Sequence, residues 1–236
     1  MIKFIKYPQK LFIKTRQQFF QLMVNNYYKS QGSDWLNNPS ILCASPLSSS
    51  HLKNCHVVES REKMLEHLPK GATVAEVGTQ YGHFAEKIVS VTKPQKFHII
   101  DIDLSLLKRE LNQGNKKLLQ EKISDNKIEI HEGDSSSILK NFPDSYFDWI
   151  YIDGDHSYEG VKKDINEGFN KVKEDGLLIF NDYTIWSVAE MIPYGIPRAV
   201  NEFCIANDWE IIFFALDSWG GYHDVAIKRM NVEKLG

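Results

Sequence analysis

The stretch Thr73-Val-Ala-Glu-Val-Gly-Thr-Gln-Tyr-Gly82 sets a short apolar run against an acid and a turn bounded by glycines. Four further runs repeat the arrangement: Phe97-His-Ile-Ile-Asp101, Ile128-Glu-Ile-His-Glu-Gly-Asp134, Trp149-Ile-Tyr-Ile-Asp-Gly-Asp-His156 and Leu177-Leu-Ile-Phe-Asn-Asp182. Strands buried on both faces of a parallel sheet read as unbroken Val/Ile/Leu runs, and ligands of such sheets collect where the strands end. The polar groups recurring at these ends therefore outline one site. Helical spacing fills the intervals: Phe84, Ile88 and Val91 after Gly82, helices from Leu104 to about Glu121, a short helix at Ser136, and Val161, Ile165, Phe169 and Val172 after His156. Strand-helix alternation predicts an α/β doubly wound, mostly parallel sheet. Trp209–Ala215 and His223–Lys228 read as two more strands, joined by a turn containing Gly220-Gly221. That link is too short for a helical crossover, so this C-terminal hairpin is antiparallel.

The 236 residues suffice for one large domain with an extension. The expected division is an N-terminal helical and loop extension over 1–57 and a ligand-binding domain over 58–236, entered by a helix at Ser60–Leu68 and the turn Pro69-Lys-Gly71. A net charge of −3 offers no basic field for nucleic acid, so a small-molecule partner is expected. Cys43, Cys55 and Cys204 have neither zinc-knuckle spacing nor an even count, which fits a reducing cytoplasm. No run approaches the ~20 apolar residues of a membrane span, and no signal-peptide pattern opens the chain. Residues 1–24 mix Lys3, Lys6, Lys10, Lys14 and Arg16 with Phe4, Phe12, Phe19 and Phe20, a pattern that suits an anionic membrane surface. Gln17, Gln18, Gln21 and Asn25 dilute the basic face, so the reading adopted is a helix packed on the domain or on a second copy in a homodimer. From Ser30 to about Val57 the abundance of Ser, Asn, Pro and Gly reads as loop or lid.

A mostly parallel sheet closing on an antiparallel hairpin resembles the class I S-adenosylmethionine-dependent methyltransferase fold, whose sheet has seven strands. The first turn, Glu76-Val-Gly78-Thr-Gln-Tyr-Gly82, departs from the Gly-x-Gly-x-x-Gly of a dinucleotide site, which favours a nucleoside without a pyrophosphate. Taken alone it reads equally as a tight turn. The resemblance places Glu76, Gly78, Thr79 and Gly82 beside the methionine half of the cofactor. Asp101, closing the second strand, stands where an acid accepts both ribose hydroxyls, while Asp103 reads as a helix cap. The resemblance puts Asp134 and Ser135 at the adenine, although Gly-Asp-Ser also reads as a capped helix start.

Asp153-Gly-Asp-His-Ser-Tyr158, Gly176-Leu-Leu-Ile-Phe-Asn-Asp-Tyr183 and Tyr194-Gly-Ile-Pro-Arg-Ala-Val-Asn-Glu-Phe203 resemble a bacterial branch of small-molecule O-methyltransferases, associated with saccharide or secondary-metabolite tailoring. Methyl transfer needs the acceptor held in near-attack geometry and a hydroxyl acceptor relieved of its proton. His156 is the candidate base, since an imidazole titrates near neutral pH. Asp153 and Asp182 end neighbouring strands and, with the amide oxygen of Asn181, offer ligands for Mg²⁺ or Ca²⁺. The catechol-type relatives use acids at these two positions, but Tyr183 stands where they have asparagine. The plainer readings are Asp155 or Ser157 as a helix cap, His156 on a strand-end carbonyl, and His223 as a solvated edge residue. Tyr183, Trp186 and Tyr194 read as acceptor-pocket rings or as core, and Met191–Pro197 as a rigid lid or turn. Two other functions use the same residues: a metal-dependent phosphatase built on Asp153, Asp155 and Asp182, and a nucleoside-binding protein without catalysis.

Overall fold

A computed structural model describes residues 15–16, 18–26, 46–216 and 221–230. Its main sheet contains β1 (His56–Val58), β2 (Thr73–Val77), β3 (Lys96–Asp101), β4 (Ile128–Glu132), β5 (Phe147–Ile152), β6 (Val172–Phe180), β9 (Trp209–Leu216) and β10 (His223–Arg229). The strand order is β1-β9-β10-β6-β5-β2-β3-β4. Two short strands, β7 (Trp186–Ser187) and β8 (Ile192–Pro193), form a separate antiparallel ribbon. Within the main sheet β10 alone runs against its neighbours, β9 and β6, and the other pairings are parallel. The chain leaves β2 for β3 and β4 on one side, then returns to β5 on the other. This reversal opens a crevice between the C-terminal ends of β2 and β5, where open α/β sheets bind ligands.

Helices cover both faces: α1 (Ser49–Leu52), α2 (Arg61–His67), α3 (His83–Thr92), α4 (Ser105–Asn112), α5 (Lys117–Ser124), α6 (Ser135–Lys140), α7 (Tyr158–Gly168) and α8 (Ile196–Asn207). The alternation of side chains along each strand divides the core in two. Val74, Ile99 and Trp149 meet Leu65, Ile88 and Leu119 on one face, while Ala75, Ile150 and Leu178 meet Val161, Ile165 and Val200 on the other. Side-chain caps fix three helix starts: Ser60 accepts from the Lys63 N–H, Asp134 from Ser137 and Ser157 from Gly160.

The α/β fold, the mostly parallel sheet and the closing hairpin are as the sequence pattern predicts, with an eighth strand added. That strand, β1, pairs with the outer side of β9 and falls in a segment expected to be loop. Three residues are too few to show a period, and Val57 is 65 % exposed, so no burial pattern marked it. Val172 opens β6 instead of extending the helical face of α7, and Phe169 caps that helix. The Met191–Pro197 stretch is a turn and strand that passes into α8, with Pro197 in its first turn. His223 is not at an edge: β10 lies between β9 and β6, and His223 Nδ1 is buried without a partner. Residues 18–26 are helical, with Phe19, Phe20, Leu22 and Met23 each more than half exposed, so among the described residues this stretch does not pack its apolar side chains on the domain body. The basic positions Lys3 to Lys14, Cys43, most of the expected lid and Gly220 lie outside the described residues.

Gly78 has a left-handed backbone (φ 81°), and a Cβ there would lie 1.9 Å from the Asp153 carbonyl oxygen. Gly71 is also left-handed (φ 63°) but faces open space. Gly78→Ala should therefore cost about 3 kcal/mol or more in chemical denaturation, against about 1 kcal/mol for Gly71→Ala. Equal costs would show that the strand-end contact yields freely.

Candidate active site

A cleft of about 1010 Å³ lies over the C-terminal ends of β2, β3, β5 and β6. Its floor is set by backbone. Gly78 N–H donates to the Ile100 carbonyl at 2.8 Å, and Asp153 N–H to the Val77 carbonyl at 2.7 Å. Gly82, left-handed at φ 72°, opens α3 where a Cβ would press on Leu107 at 2.6 Å. Asp101 gathers this turn: Oδ2 accepts from the N–H groups of Thr79 (2.8 Å) and Gln80 (3.1 Å), and Oδ1 from Asp103 (3.1 Å). Asp103 in turn accepts from Ser105 N–H at 2.8 Å and secures the start of α4. Asp101 therefore faces the cleft already holding the glycine loop in shape.

Beneath the loop Glu76 is 1 % exposed, and its Oε2 has no hydrogen-bond partner. Burial, opposed by the Thr79 hydroxyl and by Arg61 and reinforced by the Asp153 charge, lifts its carboxyl to about 8. Behind it Tyr151 O–H donates to Asp224 Oδ2 at 2.6 Å, Asn181 Nδ2 donates to Asp224 Oδ1 at 3.1 Å, and Arg61 reaches the Tyr151 oxygen at 3.4 Å. Asp224 is likewise lifted by burial, to about 7. Arg61 stacks on Phe84 with its guanidinium 4.6 Å from the ring centroid and lines the cleft. An orphaned buried carboxylate oxygen beside a cavity calls for a ligand that donates N–H or carries positive charge.

At the far end Asp134 caps α6 by accepting from Ser136 Oγ and Ser137 N–H, both at 2.8 Å, which holds its carboxyl down to about 2. Ser135 Oγ donates to Asp164 Oδ1 at 2.6 Å, and Asp164, lifted by burial to about 6, leaves Oδ2 unpaired. Asp134 and Ser135 both line the cleft. The capping reading of Gly-Asp-Ser is thus realised without removing Asp134 from the site.

His156 Nε2 lies 3.3 Å from Asp153 Oδ1, near enough for an ion pair but off the line of a hydrogen bond. Its ring packs on Tyr194 at 4.5 Å between centroids. Burial works to lower the His156 pKa, but the Asp153, Asp182 and Glu190 carboxylates outweigh it and the net shift is upward. Ser157 caps α7, and Asp155 Oδ1 accepts from Ser157 N–H at 2.8 Å, as the plainer reading expected. Asp153, Asn181 and Asp182, the expected ligands of Mg²⁺ or Ca²⁺, all line the cleft. Asp153, His156 and Asp182 do not close to a group of three with ligand atoms within 4.8 Å, so a cation gains no support from that trio. Of the three expected acceptor-pocket rings Tyr194 lines the cleft, whereas Tyr183 donates to Asn201 Oδ1 at 2.6 Å and packs against the core, and Trp186 is outside the lining.

Arg61, Asp224, Tyr222 and Asp164 were missed. Arg61 and Asp224 join the site from α2 and β10, distant in sequence from the strand ends, and their only signal is a charge placed next to an apolar run. Asp164 sits mid-helix, three residues after Val161, where an acid on the buried face breaks the apolar period.

Residues 75–183 match a family described as a methyltransferase domain. Solved structures sharing the fold include TrmK of M. capricolum in complex with S-adenosyl-homocysteine (16 % identity, covering 74 % of this chain and 70 % of that one, TM-score 0.51). A precorrin-6y C5,15-methyltransferase from Geobacter metallireducens is similar too (12 % identity, 72 % and 86 % covered, TM-score 0.52). So is spermidine synthase from Thermotoga maritima (15 % identity, 75 % and 58 % covered, TM-score 0.51). A comparison with curated protein sequences finds no match. The crevice, the glycine turn and these likenesses agree on the fold: the chain has the α/β, Rossmann-like fold of the class I methyltransferases, and its residues 75–183 match a methyltransferase-domain family.

Proposed function

We propose that residues 58–236 form an S-adenosylmethionine-dependent O-methyltransferase domain acting on the hydroxyl of a small saccharide-like or secondary-metabolite acceptor, with residues 1–57 as an extension. The observation that carries the cofactor reading is Glu76. Its buried, partnerless oxygen suits the α-ammonium or sulfonium of the cofactor, and Asp101 and Asp134, which line the same cleft, are assigned to the ribose hydroxyls and the adenine amino group. The cofactor supplies the electrophilic methyl group. His156, with Nε2 turned toward Asp153, would receive the acceptor hydroxyl proton on Nδ1, freeing that oxygen to take the methyl group the cofactor would supply. Ser187, Glu190, Tyr194 and Tyr222 present hydroxyls and a carboxylate along the opposite wall, which suits an acceptor with several hydroxyl groups. The phosphatase reading is less favoured because Asp155 Oδ1 is taken up by the Ser157 N–H, and Asp153, Asp155 and Asp182 do not form a group of three with ligand atoms within 4.8 Å.

Because the cofactor needs Glu76 ionised and burial holds its proton to about pH 8, cofactor binding must expel that proton. Affinity for S-adenosylhomocysteine, measured by calorimetry, should rise with pH by up to about tenfold per unit below pH 8 and level off above it. Glu76→Gln should bind more weakly with a flatter profile. A wild-type affinity that does not change across this range would remove Glu76 from the binding site.

With methyl-labelled cofactor and a panel of glycans and phenols, His156→Ala should lower kcat by roughly 10²–10⁴ and leave S-adenosylhomocysteine affinity unchanged. Asp101→Ala should weaken that affinity at least about tenfold. Turnover should survive a chelator. Cofactor binding without transfer to any acceptor would favour the non-catalytic binding protein.

A further inference from the structure

Outside the cleft, three metal-ligating side chains meet on one face of the β3–β4 pair. His98 of β3 pairs in register with Glu129 of β4, and His131 follows two residues on, so all three project to the same side. His98 Nδ1 lies 3.0 Å from His131 Nε2 and 3.6 Å from Glu129 Oε2, and His131 Nε2 is 3.9 Å from that same oxygen. Among the described residues no other group of three such side chains gathers its ligand atoms within 4.8 Å.

The surroundings orient these atoms inward. His98 is 2 % exposed, and its second nitrogen, Nε2, is 3.1 Å from Tyr146 O–H, which leaves Nδ1 as the atom facing the cluster. Metal-bound histidines are commonly fixed by such an outer partner. Lys96 is bonded to the other carboxylate oxygen, Glu129 Oε1, so Oε2 stays available while the carboxylate remains ionised. Phe142 packs edge-on against both rings. In a tetrahedral zinc site with Zn–N of about 2.0 Å, neighbouring ligand atoms are about 3.3 Å apart, close to the spacings here.

We propose that His98, Glu129 and His131 form a transition-metal site that takes Zn²⁺ through two imidazole nitrogens and one carboxylate oxygen. The half-exposed Glu129 leaves the fourth position open to water. The site clamps the edge strand β4 to β3, and β4 runs directly into Gly133 and Asp134, so bound metal stiffens the strand that presents Asp134 to the cleft.

The untagged full-length protein, stripped with chelator and dialysed against Zn²⁺, should retain one zinc per chain by elemental analysis. Its Tm should rise by about 5 °C at zinc well above Kd, and Mg²⁺ should produce neither effect. His131→Ala and Glu129→Gln, whose side chains are partly exposed, should keep the wild-type circular dichroism and lose both the zinc and the Tm response, whereas Asp182→Asn should retain them. If a variant fails to fold, Co²⁺ bound to the wild type reports the site by the visible absorption of low-coordinate cobalt, which zinc should abolish. Failure of the wild type to take up zinc, absence of the cobalt spectrum, or one full equivalent retained by the His131→Ala/Glu129→Gln double variant would overturn the proposal. The test is independent of the methyltransferase reading, since neither metal content nor Tm requires turnover.

Discussion

Three strands continue their hydrogen bonding one residue past their ends, and the cleft depends on that overrun. Gly78 N–H reaches the Ile100 carbonyl of β3, Asp153 N–H the Val77 carbonyl of β2, and Asn181 N–H the Ile152 carbonyl of β5, at 2.8, 2.7 and 3.0 Å. Each strand end is thereby held by its neighbour before the chain turns away. Because Gly78 has no side chain, the Asp153 backbone can lie directly against it, which puts the side chains of Asp153 and Asn181 on the same rim as Asp101. Backbone groups at such a rim must find partners or face water, and here the partners fix the geometry of the site.

The same compactness carries an electrostatic cost. Glu76 and Asp224 are both nearly inaccessible, and Asp153 adds charge to each, with Arg61 as the cation among them. The protein offsets this cost partly by keeping protons on the two buried acids to unusually high pH, the expected response when burial disfavours charge. Tyr151 and Asn181 satisfy Asp224 completely enough that it acts as scaffold. Glu76 differs, because one of its oxygens is left unmatched. Within one network, then, the residue already partnered supports the wall and the residue without a partner is the one poised for a ligand.

Much of this was readable in the chain because strand ends are local events. Apolar run, acid and glycine occur together in the segments ending at Gly82, Asp101, Asp134, His156 and Asp182, and the hairpin is set by a short link. What escaped reading came from long-range assembly. Arg61 and Asp224 are separated by most of the domain and meet only because β10 is inserted between β6 and β9. β1 was hidden because three residues, two exposed and one buried, carry no period, and Tyr183, Trp186 and Tyr194 stayed open between pocket and core because aromatic residues near a site have no fixed direction in sequence. His223 was misplaced for a related reason: last in the hairpin is not outermost in the sheet.

The fold by itself does not choose the transferred group or the acceptor, as its occurrence in spermidine synthase as well as methyltransferases makes plain. On the proposed function, selection falls to the segment after β6, where β7, β8 and the approach to α8 bring Ser187, Glu190 and Tyr194 to the cleft lining. This segment is coupled to the proposed base by backbone as well as by side chain. Gly195 N–H donates to the His156 carbonyl at 2.8 Å, Tyr194 lies against the imidazole, and a Cβ on Gly195 would collide with Tyr158 at 2.2 Å. Tyr194 O–H donates in turn to Glu190 at 2.8 Å. A shift of this segment must therefore displace the imidazole, and on the proposed reading acceptor fit and proton removal are coupled through these contacts.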